Sequence, residues 1–92
     1  MEVLQEDNGK KGKFFITENN ILAAEMAYTW AGTERIIIDH TEVSDVLRGQ
    51  SAGKKMIMHA VTFAREKRIK IIPLCPFANS MFQKMEEIRD VL

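Results

Sequence analysis

Apolar and polar residues alternate with a period of two through the first half of this chain, and recur every three or four residues through most of the second. Glu2 to Gln5 and Lys13 to Thr17 read as short strands around the turn-forming run Asp7-Asn8-Gly9-Lys10-Lys11-Gly12, which predicts a β-hairpin. Asn19-Asn20 supplies a second turn. Ile21 to Trp30 follows as a strand with Ala24, Met26 and Tyr28 on one side, and Ala31-Gly32-Thr33 turns the chain again. Arg35 to Val43 carries Ile36-Ile37-Ile38, an apolar run expected of a central strand covered on both faces.

The period then changes. Gly53, Met56, Ile57, Ala60, Val61 and Ala64 fall on one helical face, predicting a helix from about Ala52 to Lys67. Ile69 to Cys75 reads as a second buried strand stopped by Pro76, and parallel pairing with the Ile36 strand makes the helix a crossover. Ala78, Met81, Phe82, Met85 and Ile88 predict a second amphipathic helix or a pair of turns. The expected fold is α+β, in the order β-β-β-β-α-β-α: an antiparallel meander followed by a parallel βαβ unit. No repeat, low-complexity segment or linker divides the chain, so residues 1–92 are expected to form a single domain.

Composition narrows the possible functions. Of the 92 residues, 46% are hydrophobic, enough for one modest core. Thirteen basic and thirteen acidic side chains cancel, so the field of a general nucleic-acid binder is missing and any anion site must be local. No apolar run approaches the roughly 20 residues that cross a bilayer. The start, with Glu2, Glu6 and Asp7, lacks the pattern of a signal peptide, so a cytoplasmic protein without membrane contact is expected. The one cysteine, Cys75, forms no internal disulfide and builds no metal site alone, so no metal is expected.

Local anion chemistry concentrates in Arg48-Gly49-Gln50-Ser51-Ala52-Gly53-Lys54-Lys55, where the predicted helix begins. Free N–H groups at a helix start point outward with the positive end of the dipole, and small residues let anionic oxygens reach them, which suits a phosphate. Two familiar phosphate motifs are absent. No upstream glycine completes G-x-x-x-x-G-K-S/T, and Gly49-Gln50-Ser51-Ala52-Gly53 is not G-x-G-x-x-G, so neither an NTPase nor a dinucleotide-binding dehydrogenase is supported.

The segment resembles the acyl-CoA loop of the GCN5-related N-acetyltransferases: Gln or Arg, two residues, Gly, one residue, then Gly or Ala. Arg48 matches the first position and Gly53 the last. Ser51 stands where that pattern has glycine, a costly exchange if φ is positive there and a free one if only small size is needed. A narrower resemblance, to the YjdJ-like or Gcn5-like minimal acetyltransferases, spans nearly the whole chain. It rests on His40-Thr41-Glu42-Val43, Leu47-Arg48-Gly49-Gln50-Ser51-Ala52-Gly53-Lys54, Ala64-Arg65-Glu66 and Cys75-Pro76-Phe77-Ala78.

That resemblance implies splayed central strands with acetyl-CoA or CoA in the cleft between them. It implies main-chain contacts to pantetheine from Thr41, Glu42 and Val43, with one N–H polarising the thioester carbonyl. Arg48, Gly49, Gln50, Ser51, Ala52, Gly53 and Lys54 would surround the pyrophosphate, Lys55 would reach the same oxygens or the ribose phosphate, and Cys75 and Asn79 would lie near pantetheine or sulfur. The tyrosine that larger relatives use as general acid has no counterpart, Phe82 taking its place. The branch also lacks the N-terminal helices that build an acceptor site in larger relatives.

Acetyl transfer needs a neutral amine within reach of the thioester. His40 and Glu42, two apart on one strand, share a face, and either is a candidate base. Cys75 is a candidate nucleophile for an acetyl-cysteine route with His40 as base. Each also has a structural reading: His40 bonded to a carbonyl, Glu42 facing solvent, Cys75 packed in the core. Met56, Met58, Met81 and Met85 read as core or its margin, Lys10, Lys11 and Lys13 as a solvated hairpin tip, and Trp30 as a packing anchor. The expected activity is transfer of acetyl from acetyl-CoA to an amine, on a small molecule or a protein lysine. The alternative is a CoA-binding or interaction module with little turnover, and a third reading is a small structural domain without ligand. Sequence leaves the acceptor and the oligomeric state open.

Overall fold

Alternation in the first half does produce a meander, and a computed structural model describes it over all 92 residues, Met1–Leu92. The strands are β1 (Leu4–Asp7), β2 (Lys11–Glu18), β3 (Ile21–Trp30), β4 (Arg35–Val43) and β5 (Lys70–Pro73), and they lie in the sheet in that order. The first four pair antiparallel; β4 and β5 pair parallel, joined by helix α1 (Ala52–Lys67). Helix α2 (Pro76–Lys84) follows, then a 3-10 turn over Glu86–Val91, so the second amphipathic segment is a helix continued by a tighter turn.

One face of the sheet carries Phe14, Ile16, Ala24, Met26, Tyr28, Ile36 and Ile38, all buried against Met56, Ile57, Ala60, Val61 and Ala64 of α1 and Phe82 of α2. The core is therefore a single layer between sheet and helices. The opposite face has no helix on it, which corrects two expectations. Ile37 is only half-buried between the fully buried Ile36 and Ile38, so β4 is covered on one face. The Ile69 to Cys75 segment is shorter than expected: β5 stops at Pro73, forms the sheet edge and buries Ile71 while Ile72 is exposed. Proline has no N–H to give a ladder, so the sequence carried the signal for that early stop.

Two irregularities shape the sheet. Between β2 and β3 the register shifts at Ile16 and Thr17; between β3 and β4, Tyr28 pairs with Ile38 while Ala27 pairs with His40, leaving Asp39 as an extra residue. Such a bulge bends its strand. It falls immediately after Ile38, where pairing with β5 also ends at Pro73.

The end of the sheet near β1 is fastened by a polar cluster. Tyr28, buried, donates its hydroxyl to Asp7 at 2.6 Å and accepts from Gln5 at 2.8 Å; Trp30 Nε1 and the Gly9 N–H also donate to Asp7, at 2.9 and 2.7 Å. Gly12, opposite Tyr28 on β2, makes room for this, since a Cβ there would overlap the tyrosine ring. Phe63 of α1 packs its ring against Phe14, Tyr28 and Trp30, so Trp30 is a packing anchor with a hydrogen-bonded tip. Burial pushes the Tyr28 hydroxyl well above its ordinary pKa of 10.0, and the bond to Asp7 adds to this. Burial pushes Asp7 the other way from its net shift: the bonds from Tyr28, Gly9 and Trp30, with the charge of Lys67, outweigh it and hold the carboxyl below its ordinary 3.8.

The two shifts have opposite pH consequences. Asp7, with its folded pKa depressed, stabilises the fold above pH 3.8 and loses that contribution as pH falls through its lower folded value. Tyr28, with its folded pKa raised, stabilises below pH 10.0 and loses that contribution as pH rises beyond it. Tyr28→Phe should therefore cost about 1–2 kcal/mol in urea unfolding at neutral pH. The gap to the native protein should shrink at both pH extremes; a gap constant with pH would show that the cluster does not carry the difference.

Candidate active site

Where β4 and β5 diverge, a slot opens in the sheet. The last link is the Cys75 N–H donating to the Ile38 carbonyl at 3.0 Å, and beyond it residues 40–43 of β4 pair only with β3. Cys75 is not the strand residue expected from sequence but the N-cap of α2: its Sγ accepts from the Ala78 N–H at 3.3 Å, and Pro76 occupies the first helical position. The same Sγ lies 3.3 Å from Thr41 Oγ1, so Thr41 and Cys75 meet across the slot on the helix side. Cys75 is buried and Thr41 half-buried.

His40 and Glu42 stand elsewhere. The register pairs Thr41 with the buried Met26 but His40 with Ala27 and Glu42 with Glu25, so both candidate bases lie on the open face of the sheet. Neither side chain makes a hydrogen bond or ion pair, and no hydrogen bond joins His40 to Cys75. On this side a cleft of about 380 Å³ is lined by Leu22, Ala23, Ala24, Glu25, Glu42, Val43, Ser44 and Asp45. It takes in Glu42 and Val43 but not Thr41, Cys75 or the loop before α1.

That loop follows a 3-10 turn over Asp45–Leu47 capped by Ser44. Gly49 has φ of 80° and Ser51, the residue before α1, has φ of 57° and ψ of 36°. Ser51 thus occupies the left-handed region, the costly one of its two alternatives, and its hydroxyl makes no capping bond. The first helical bond is donated by the Lys55 N–H to the Ser51 carbonyl at 3.0 Å. The N–H groups of Gly49, Ser51, Ala52, Gly53 and Lys54 donate to no protein acceptor, which leaves a cradle of free donors at the positive end of a 16-residue helix.

The side chains around this cradle divide. Ala52 and Gly53 are buried and form its floor; Lys54 and Lys55 are exposed and unpaired. Arg48 is exposed and bonds Asp45 at 2.7 Å, and Gln50 Nε2 donates to the Val46 carbonyl at 3.4 Å. Asn79, one turn into α2, is exposed with its side-chain oxygen 3.4 Å from Gln83. The structure therefore brings together the loop, β4 and the start of α2, with His40 and Glu42 behind the sheet. Phe82 is fully buried in the core.

The sequence profile described as GCN5-related N-acetyl-transferase matches residues 13–91. The chain belongs to that family. Its fold is also that of a GCN5-like protein from Staphylococcus aureus solved by NMR, 40% identical, with a TM-score of 0.71 over 98% of this chain and 85% of that one. More distant likenesses in fold are the ribosomal-protein-alanine N-acetyltransferase of Brucella melitensis biovar Abortus 2308, 16% identical with a TM-score of 0.66, and AAC(6')-Iy in complex with the bisubstrate analogue CoA-S-monomethyl-acetylneamine, 10% identical with a TM-score of 0.56. They cover 85% and 92% of this chain, which spans 62% and 64% of theirs. No curated protein sequence matches the chain.

Within this GCN5-related protein, sequence reasoning missed two site features. Pro73 sets the slot by ending β5, a signal present in the sequence. Phe77, exposed at 37%, lays its ring tip on Gly53, so a methyl at Gly53 would overlap Phe77 Cζ. Nothing in the spacing of the two residues announces that contact.

Serine in the left-handed region costs about 1 kcal/mol relative to glycine's free access to it. Because the Ser51 hydroxyl caps nothing, Ser51→Gly should stabilise the fold by up to about 1 kcal/mol in denaturant titration, and the β-branched Ser51→Val should destabilise it. Equal stability of all three would mean that the loop relaxes out of this conformation.

Proposed function

We propose that residues 1–92 act as one unit that binds acetyl-CoA in the slot between β4 and β5 and transfers its acetyl group to an amine. The family performs acetyl transfer, and the observation that carries the reading to this chain is the set of free N–H groups of Gly49, Ser51, Ala52, Gly53 and Lys54 beside the unpaired edge of β4. A pyrophosphate would accept from those donors, with Lys54, Lys55 and Arg48 adding charge. Arg48 must first leave Asp45. The edge of Thr41, Glu42 and Val43 would hold pantetheine, and Cys75 and Asn79 at the start of α2 would close the other side.

Bound acetyl-CoA supplies an acetyl thioester. A β4 N–H at the slot donates to the oxygen on which negative charge develops. On the open face, His40 or Glu42 takes a proton from the incoming ammonium, so that the amine arrives neutral with its lone pair free to attack the carbonyl carbon. The C–S bond would then break, the attacking nitrogen giving up its second proton to solvent and the departing thiolate taking one up. The amine would reach the thioester past the unpaired β4 edge, so base and thioester need not share a face. The separation of His40 from Cys75 favours this direct route over an acetyl-cysteine one. The solved complex of AAC(6')-Iy with a CoA-linked analogue has the same fold, which supports CoA as the donor.

A second reading is CoA binding with little turnover. It is favoured by the absence of a phenol at the slot: Phe82 is buried, and the hydroxyl of Tyr28, the one tyrosine, is bound to Asp7 near β1.

Calorimetry should show one site for acetyl-CoA and for CoA, and absence of binding at millimolar ligand would sink both readings. Thiol release with candidate amines separates them: turnover supports the transferase, and CoA binding without turnover on any amine supports the module. Arg48→Ala should weaken CoA by about 1 kcal/mol, roughly fivefold, because an exposed charge-assisted contact is gained only after the Asp45 pair is lost. The difference should fade at high salt.

A further inference from the structure

An aromatic ring from another element packs on the head of α1. Phe77 sits at the second position of α2, next to Pro76 and two residues from the Cys75 cap, and its ring tip lies directly on the bare Cα of Gly53. Gly53 is itself one of the residues whose N–H is free, and it lies between two others, Ala52 and Lys54. A side chain at Gly53 would displace the ring, and loss of the ring would remove its nearest neighbour from another element. Through Cys75, the same short helix start also holds Thr41 on β4 at 3.3 Å. One rigid element therefore touches both halves of the proposed cofactor site.

We propose that Phe77 is the positioning residue of the phosphate cradle: its packing on Gly53 fixes the start of α1, so that the Ala52, Gly53 and Lys54 N–H groups stand ready at a set distance from the β4 edge. This rests on the CoA-binding reading above. The preference for an aromatic has a physical reason. A flat ring contacts a glycine Cα closely and has only two side-chain torsions to fix, so it constrains the backbone at low entropic cost. Donors held in place before binding cost the ligand no ordering, which is where affinity is gained.

The test is a set of variants read by CoA calorimetry and by amide resonances during CoA titration. The native protein comes first: if it binds no CoA, the function reading fails, whatever Phe77 does. Given native binding, Phe77→Ala should weaken CoA about tenfold, and the CoA-induced shifts of the Ala52, Gly53 and Lys54 amides should fall while those of Thr41 to Val43 persist. Phe77→Tyr, which keeps the ring, should restore native affinity. Gly53→Ala should reproduce the loss by displacing the ring, and the double variant should be no worse than the poorer single one, because both act through one contact. Should Phe77→Ala not fold, Phe77→Tyr and Gly53→Ala carry the comparison. Affinity within twofold of native for Gly53→Ala, or a lowered melting temperature with cradle shifts intact in Phe77→Ala, would overturn the proposal.

Discussion

The site depends on where the parallel ladder between β4 and β5 stops. Ile38 is the last residue of β4 with a strand on both sides, because Pro73 ends β5 without an N–H to offer and Asp39 inserts an unmatched residue that bends β4. Either device alone would loosen one edge. Together they separate neighbouring strands within a residue of each other, and Cys75, bonded to the Ile38 carbonyl, turns the chain into α2 at the rim. An unpaired strand edge normally invites aggregation. Here α2 starts beside it, and in the proposed function pantetheine is what pairs with it.

Around that slot the fold separates its tasks by face. The helix side is apolar and closed, with Thr41 and Cys75 at its border, whereas the other side is wet and carries His40, Glu42, Glu25 and Asp45. An amine arrives protonated and needs water and a base; a thioester needs shelter from water. Under the proposed function, a one-layer core would meet both conditions without added elements. Stability comes from elsewhere, through the aromatic cluster of Phe14, Tyr28, Trp30 and Phe63 and the Asp7 hydrogen bonds near β1.

Much of this is readable in the sequence, because it depends on period and on backbone chemistry. The limits of β3, β4 and α1 match the alternation and the three-four spacing, since these elements are long and have one buried face each. The short edge elements match less well. β1 and β5 have few residues to establish a period, and the apolar run from Ile69 to Cys75 masks the stop that Pro73 imposes through its missing N–H. At the site, the loop is legible by composition and family resemblance. The opposite facing of His40 and Cys75 is not, for it follows from pairing partners on β3 and from a bulge that no local pattern marks. The contact of Phe77 with Gly53 is hidden for the same reason: it joins two elements by packing alone.

The left-handed Ser51 shows how such a site is sustained. A cradle of free N–H groups requires a backbone that turns sharply into a helix and leaves its donors unsatisfied, and both conditions cost stability. Glycine would lower the cost at Ser51 but would also let the loop sample other conformations. Serine restricts that freedom and adds a hydroxyl beside the donors, free because it makes no capping bond. Strain spent on holding one conformation before the ligand arrives is recovered as ordering that the ligand need not impose. The departure from glycine is therefore compatible with the cradle's task, and it belongs with Phe77 in a single device: one residue restricts the entry to α1 from within the chain, the other braces its first turn from outside.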